Sequence, residues 1–312
     1  MGAYLVTGGG GFIGSHIAEA LVKRGDTVRV LDDFSTGRRE NLADLAGRVE
    51  VFEGDINDEA LAAKAMAGVE VVFHEAALPS VPRSVADPAA TNRACVDGTL
   101  SILNAARQSG VRRVVYAASS SAYGDQPGFP RVETMAPQPL SPYAAAKLAG
   151  EYYCQVFTRC YGLETVCLRY FNVFGPRQNP KSQYAAAIPV FTSLLLKGER
   201  PTIYGDGEQS RDWTYVANVV HANLLAAAAP KASGHVINVV CGDTRSVNEV
   251  VARINGFLDT KIEPLYAPAR AGDVRRSEGD FARARELLGY RPQVSFEEGL
   301  RRTVEWFKTH PA

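Results

Sequence analysis

Through the first half of the chain, apolar runs of strand length alternate with longer stretches whose apolar positions recur every three or four residues. The strand-like runs are Ala3–Thr7, Thr27–Leu31, Val49–Glu53, Val69–His74, Arg113–Ala118 and Thr165–Tyr170. The helical stretches are Phe12–Arg24, Leu61–Met66, Asn92–Ser109 and Pro142–Tyr161. This alternation predicts an α/β fold with a doubly wound parallel sheet covered by helices on both faces. After Pro176 the pattern changes. QNPKSQ, KGERP and YGDGEQSRD read as loops, Val236–Val240 as a strand, and Val247–Leu258 and Phe296–Thr309 as helices. We therefore expect a larger unit over residues 1–176 and a smaller C-terminal lobe over residues 177–312. A segment near residues 214–245 should cross back to the first unit.

Composition narrows the classes of function. With 312 residues and 46% apolar content, the chain can bury a large core. Lys+Arg and Asp+Glu number 34 each, so no global field favours nucleic acid or an anionic membrane. No run approaches the roughly 18 apolar residues of a spanning helix. The opening MGAYLVTGGG lacks a basic region and a cleavage-like site. Cys95, Cys154, Cys160, Cys167 and Cys241 are odd in number and lack metal-type spacing. They read as reduced thiols, so a cytoplasmic protein without a metal is expected.

The first candidate chemistry is TGGGGFIGS, between the first strand and the first helix. Gly8, Gly11 and Gly14 form GxxGxxG. Such glycines allow a tight turn, bring backbone N–H groups to a pyrophosphate and let the helix pack closely. The second strand ends in Asp32–Asp33, where a carboxylate can accept both ribose hydroxyls and repel a 2′-phosphate. The expected cofactor is therefore NAD, although Arg38 and Arg39 lie near enough to admit a phosphate. Asp55 and Ile56, at the end of the third strand, suit an adenine edge.

The second is SPYAAAKLAGE, which sets Tyr143 and Lys147 one helical turn apart on one face. A neighbouring ammonium and a positively charged nicotinamide ring would both stabilise the Tyr143 phenolate, making it a general base near neutral pH. Upstream, the strand Arg113–Ala118 runs into Ser119, Ser120 and Ser121. Hydroxyls there are either solvated loop residues or the lining of a pocket.

With TGGGGFIGS, LDD, GDI, HEAAL, SSSAYG, YAAAK, LRYFNVFG, RDW and RAGD in order, the chain resembles the extended short-chain dehydrogenase/reductase family of nucleotide-sugar epimerases and dehydratases. Among its branches it looks most like the bacterial UDP-N-acetylglucosamine 4-epimerases. LPSVPRS, LRYFNVFGPRQNP, QYAAAIP and GDGEQSRD carry that likeness. The resemblance implies a Rossmann-type domain bearing NAD, a lobe bearing the nucleotide sugar, and a homodimer built on the helices Asn92–Ser109 and Pro142–Tyr161.

It also implies roles. Ser119, Tyr143 and Lys147 would be catalytic. Phe12, Ile13, Ala76, Ala77 and Tyr170 would join the cofactor site. Ser120 and Ser121 would line the sugar pocket, with Ser80 and Arg83 in reach of the sugar. Asn172, Arg211 and Arg270 would hold the diphosphate, since guanidinium forks match phosphate oxygens. Asp273 would reach the uridine ribose and Tyr204 the uracil. Ala186 and Ser277 would form small walls beside the hexose. Each arginine taken singly reads equally as a solvated surface side chain.

The implied reaction is C4 epimerisation of a UDP-hexose through transient oxidation to a 4-keto sugar, favouring UDP-N-acetylglucosamine and UDP-N-acetylgalactosamine. UDP-glucose/UDP-galactose epimerisation is the alternative. The branches that eliminate or decarboxylate carry an acid where this chain has Ser120, Ser121 and Ala122. Uronate epimerases carry an arginine where this chain has Asn179. A sugar dehydrogenase would keep the same residues, and a silent NAD-binding regulator would lose Tyr143 or Lys147. Two positions depart from the pattern. Cys95 stands where the family has asparagine, with Asn92 one turn earlier, and Pro79 stands where acetamido-sugar epimerases have glycine.

Overall fold

A computed structural model describes residues 2–181, 186–269 and 274–311. Its centre is a seven-stranded sheet of β1 (Ala3–Thr7), β2 (Thr27–Asp32), β3 (Val49–Glu53), β4 (Val71–His74), β5 (Arg113–Ser119), β6 (Glu164–Tyr170) and β11 (His235–Val239). The spatial order is β11-β6-β5-β4-β1-β2-β3, and every pairing is parallel. The order reverses between β1 and β4. In open α/β sheets that reversal leaves a crevice at the carboxyl ends of the strands.

Helices close both faces: α1 (Phe12–Lys23), α2 (Glu59–Met66), α3 (Val81–Ala86), α4 (Pro88–Asn92), α5 (Gly98–Gln108), α6 (Pro142–Tyr161) and α8 (Val216–Ala228). Further out lie α7 (Ala187–Leu196), α9 (Val247–Leu258), α10 (Ala282–Leu288) and α11 (Phe296–Thr309). Small sheets join β7 (Val173–Phe174) to β10 (Thr214–Tyr215) and β8 (Thr202–Tyr204) to β13 (Leu265–Ala267). A third places β9 (Ser210–Asp212) between β12 (Thr244–Ser246) and β14 (Arg276–Ser277). Among the described residues, no helix is long and apolar enough to cross a membrane.

The inner strands read as near-continuous apolar runs because both faces of the sheet are buried there; all four residues of β4 are, whereas the edge strand β3 is largely exposed. Polar side chains inside are tied. His74 sits between the Thr7 hydroxyl at 2.7 Å and the Thr99 hydroxyl at 3.1 Å, joining β1, β4 and α5. Burial holds its imidazole neutral, down at about 3, with the Lys147 charge pressing the same way. Arg169 of β6 forms two bonds of 2.8 and 2.7 Å with Glu151 of α6, both side chains nearly sealed from solvent. Removing one partner of such a pair costs about 3–5 kcal/mol.

α6 is the helix that positions chemistry. Ser141 caps it, accepting from the Ala144 N–H at 3.2 Å; Pro142 opens its first turn; Gly162 ends it in the left-handed conformation. Gly150 lets it lie against β5, since a Cβ there would collide with the Tyr116 hydroxyl.

The expected helix Asn92–Ser109 is in fact three pieces. Asp87 caps an earlier start, accepting from the Ala90 N–H at 2.9 Å, and a π-helical turn over Arg93–Asp97 separates α4 from α5. Likewise α2 begins at Glu59 rather than Leu61, because Asp58 accepts from the Leu61 N–H at 3.0 Å. α7 and α8 have no counterpart among the expected elements. Both are apolar over most of their circumference, which erases the periodicity that marks a half-exposed helix.

Candidate active site

A cavity of about 950 Å³ opens along the carboxyl ends of the strands at the β1/β4 reversal. Its lining includes Gly8, Gly11, Phe12, Ile13 and Gly14 after β1, and Asp32, Asp33 and Arg38 after β2. Asp55 and Ile56 follow β3, and Glu75, Ala76, Ala77, Ser80 and Arg83 follow β4. Ala117 and Ala118 of β5, Tyr143 and Lys147 of α6, Tyr170 of β6 and Ala186 complete this lining, in which Glu75, Ala117 and Ala118 stand outside the expected set.

The loop after β1 is shaped to approach a ligand with bare backbone. Gly8 has φ +67°, and a Cβ on Gly14 would strike the Gly8 carbonyl oxygen. Gly11 leads into α1, whose first N–H groups face the cavity mouth with the positive end of the helix dipole. Asp32 fixes this loop. Its Oδ2 accepts from the Gly10 N–H at 2.8 Å and its Oδ1 from the Phe34 N–H at 2.8 Å. Each carboxylate oxygen retains a lone pair for a ribose hydroxyl. Asp33 bonds instead to the backbone and hydroxyl of Ser35, so of the expected pair Asp32 is the better placed acceptor. Arg39 turns away to Glu53 at 2.6 Å and packs on Phe34, leaving Arg38 as the guanidinium on that stretch of cavity wall. Asp55 accepts from the backbone and side chain of Asn57. These features fit NAD: a cradle without side chains, a carboxylate at the ribose position, and room for a dinucleotide.

Lys147 is buried, and its Nζ donates to the Ala117 carbonyl at 2.8 Å while lying over the Tyr116 ring. Desolvation lowers its pKa from the ordinary value, with Cys95 and Glu75 pulling it back up. The lowering of the Tyr143 pKa expected from the Lys147 ammonium together with a positively charged nicotinamide ring is not supplied by the protein's own groups. Burial pushes the phenol well above 10, Cys95 and Glu75 add to that, and only the Ser119 hydroxyl brings it down. In this environment the base needs a further positive charge beside the ring.

Ser119 ends β5, opposite Tyr170 in register, and its oxygen accepts from the Ser121 N–H at 3.2 Å and hydroxyl at 2.8 Å. Ser119, Ser120 and Ser121 are half-buried but lie outside the cavity lining, so Ser119 meets the site through Tyr143.

Asn172, Arg211 and Ser277 gather on the outer sheet instead. Asn172, at φ +34°, donates to the Asp212 carbonyl at 3.1 Å and to Ser277 Oγ at 3.3 Å. Ser277 pairs with Arg211 across β14 and β9, and the Arg211 guanidinium donates to the Ser210 carbonyl at 2.9 Å. Tyr204 lies half-exposed at the end of β8. Arg270 and Asp273 fall outside the described residues. Asn92 is exposed and bonds to Asp97, so it does not stand in for the missing asparagine, whereas Cys95 is fully buried within electrostatic reach of Tyr143 and Lys147.

Glu75 and Arg177 are cavity residues to which the sequence pattern gives no role. Arg177, at φ +67°, binds Glu19 at 2.6 Å and the Ser15 hydroxyl at 3.4 Å, tying the segment after β7 to α1. Glu75 is visible in HEAAL as a charge closing an apolar strand.

Gly14→Ala is expected to abolish NAD retention, because the added methyl displaces Gly8 and the loop it closes. The check is the nucleotide released on denaturing the purified protein. A normal complement of NAD would show that the loop accommodates a side chain.

The family model described as the NAD dependent epimerase/dehydratase family matches residues 4–241. A UDP-glucose 4-epimerase of Mycolicibacterium smegmatis is 42% identical over 308 residues, covering 97% of this chain and 98% of the relative. The structure of a UDP-N-acetylglucosamine 4-epimerase from Methanobrevibacter ruminantium M1, in complex with UDP-N-acetylmuramic acid, superposes with a TM-score of 0.95. It shares 41% identity and covers 99% of both chains. A UDP-glucose 4-epimerase from Thermus thermophilus, in complex with NAD, gives a TM-score of 0.90 at 38% identity, covering 98% of this chain and 99% of that one. The chain therefore belongs to the NAD dependent epimerase/dehydratase family: it is an enzyme, and its cofactor is NAD.

Proposed function

We propose that the chain is a UDP-hexose 4-epimerase, an isomerase, that accepts UDP-N-acetylglucosamine and UDP-N-acetylgalactosamine. The observation that carries this reading is the placement of Tyr143 and Lys147 in the glycine-loop cavity, with Ser119 acting on the phenol and no acid at Ser120, Ser121 or Ala122. Elimination needs a proton donor in that segment, and epimerisation does not.

Bound NAD supplies reversible acceptance of the hydride from the sugar C4. Tyr143 takes the proton of the C4 hydroxyl and later returns it. Lys147, held at the Ala117 carbonyl, shares the cavity wall with Tyr143, and Ser119 donates towards the developing phenolate. The 4-keto sugar then presents its other face, so the hexose must be held loosely and the UDP tightly. Asn172 and Arg211, with Arg270, Asp273 and Tyr204, are the residues proposed for the UDP end. Ser80, Arg83 and Ala186, which line the cavity, are proposed for the sugar end. The proton and hydride both return, so nothing is oxidised over a turnover.

For substrate, Ser277 is the small residue proposed to leave room for an acetamido group. A UDP-glucose/UDP-galactose epimerase is the second reading, favoured by Pro79 on the cavity wall and by the identity to UDP-glucose 4-epimerases. A homodimer is also proposed. α6 exposes Tyr152, Tyr153, Val156 and Tyr161, and a shallow groove beside it is lined by Pro88, Val96, Pro142, Ala145 and Ala149.

Tyr143→Phe should cut kcat at least about 100-fold while the protein keeps NAD, since general-base catalysis contributes about 10²–10⁴. Near-normal turnover, followed by product analysis on each UDP-sugar, would remove the base assignment. Ser277→Tyr should abolish turnover of UDP-N-acetylglucosamine and spare UDP-glucose; equal effects on both would show that Ser277 does not gate the pocket. Light scattering at micromolar concentration should give twice the chain mass, and a monomer would end the dimer proposal.

A further inference from the structure

Four of the acids on the cavity wall are Asp32, Asp33, Asp55 and Glu75. The three aspartates close β2 and β3. Glu75 follows β4 and shares its stretch of wall with Tyr143, Lys147 and Tyr170. Its backbone is fixed, the N–H donating to the Thr7 carbonyl at 3.2 Å. Its Oε1 accepts from the Tyr170 hydroxyl at 2.7 Å, and that same hydroxyl accepts from Asn223 Nδ2 at 2.8 Å. A glutamine would satisfy Tyr170 equally well without a charge in a desolvated place. Hydrogen bonding thus explains the shape of Glu75 and leaves its charge unexplained.

We propose that Glu75 is a further residue of the cofactor site, whose carboxylate lowers the reduction potential of bound NAD by favouring the oxidised, positively charged ring. Uptake of a hydride delivers two electrons and removes the ring's positive charge, so a negative charge fixed on the same wall opposes reduction. The consequence is chemical. A cofactor biased towards its oxidised form is regained whenever the keto sugar is reduced, and the enzyme is less readily stranded with a reduced ring.

The groups facing Glu75 agree with this assignment. Lys147 and Tyr143 approach from α6, Tyr170 from β6 and the neutral Asn223 from α8, while His74 below stays uncharged at about 3. Desolvation raises the carboxyl to about 7, against the opposing pull of Tyr170 and Lys147. A positive ring on that wall lowers it again, so the carboxylate is charged when the ring is oxidised.

The test uses the holoenzyme without sugar, which separates it from the epimerase reading. Wild type and Glu75→Gln are equilibrated with a dye couple of known potential, and the reduced ring is read by its near-ultraviolet absorbance. The variant is expected to hold about tenfold more reduced over oxidised cofactor at the same potential, a rise of about 30 mV. Ratios equal within about twofold would overturn the proposal. Tyr170→Phe, which removes the hydrogen bond and keeps the charge, should not reproduce the rise; an equal rise would assign the effect to positioning. Should the glutamine variant fail to fold, wild type alone decides. Acidification from about pH 8 to about pH 6 protonates Glu75 in the reduced form, whose ring carries no charge, so reduction takes up a proton and the potential of bound NAD should rise relative to free NAD over that interval. A constant gap would refute the assignment.

Discussion

The chemistry of this protein depends on how closely one helix lies on one strand. α6 meets β5 at Gly150, where a side chain would displace the Tyr116 hydroxyl. Tyr116 in turn donates to the Lys147 carbonyl at 3.3 Å, and Lys147 reaches back to the Ala117 carbonyl at 2.8 Å. Helix and strand are thus joined at three successive levels, the last of which is the ammonium proposed to be catalytic. Tyr143, one turn earlier, inherits its position from that contact. A helix displaced by one methyl would carry both side chains away from the cavity, and displacements of this order cost much of an enzyme's rate.

The floor of the cavity is built on a second constraint, the need to satisfy polar groups where seven parallel strands end. Thr7, His74 and Thr99 form one chain of hydrogen bonds; Glu75, Tyr170 and Asn223 form another. Both chains link neighbouring secondary elements, so they rigidify the carboxyl edge at the β1/β4 reversal. Lys147 beside them is buried and Tyr143 half-buried. The cost appears in the pKa values, with the phenol pushed up and the ammonium pushed down by the same burial. A positive cofactor ring relieves the first of these. The apoprotein is arranged for a charge that only its ligand provides.

Much of this arrangement was legible in the chain. Strand β1 lies where its apolar run puts it, and helices α6, α9 and α11 lie where the hydrophobic pattern puts them, because each begins with a capping serine. The glycine loop, Asp32, Tyr143 and Lys147 were legible because each chemical role demands a residue type at a fixed spacing. What failed to show had physical reasons. α7 and α8 are too uniformly apolar to display a period. The π-helical turn at Arg93–Asp97 is a local choice of hydrogen-bond partner with no compositional mark. The Asn172–Ser277 contact joins residues 105 apart in the chain. Glu75 reads in the chain only as a charge closing an apolar strand, since only the folded sheet brings Tyr170 beside it.

Specificity for the sugar follows a different logic from the chemistry. Removing and returning a C4 hydride requires only that C4 reach the same place in both orientations of the hexose. The residues proposed to enforce this are Tyr143 and Lys147 on α6, inside the cavity, with Ser119 at the end of β5 acting through Tyr143. Those proposed to grip the nucleotide are on the small outer sheet, where Ser277 and Arg211 pair across two short strands and Asn172 is held by Ser277. Short strands with few partners can be altered without disturbing the central sheet. One catalytic centre can thereby serve glucose-type and acetamido-type sugars in relatives of nearly equal identity to this chain. On the proposed reading, discrimination rests on the volume of a few side chains at the rim, where a small residue such as Ser277 would widen the set of sugars admitted without touching the step that inverts them.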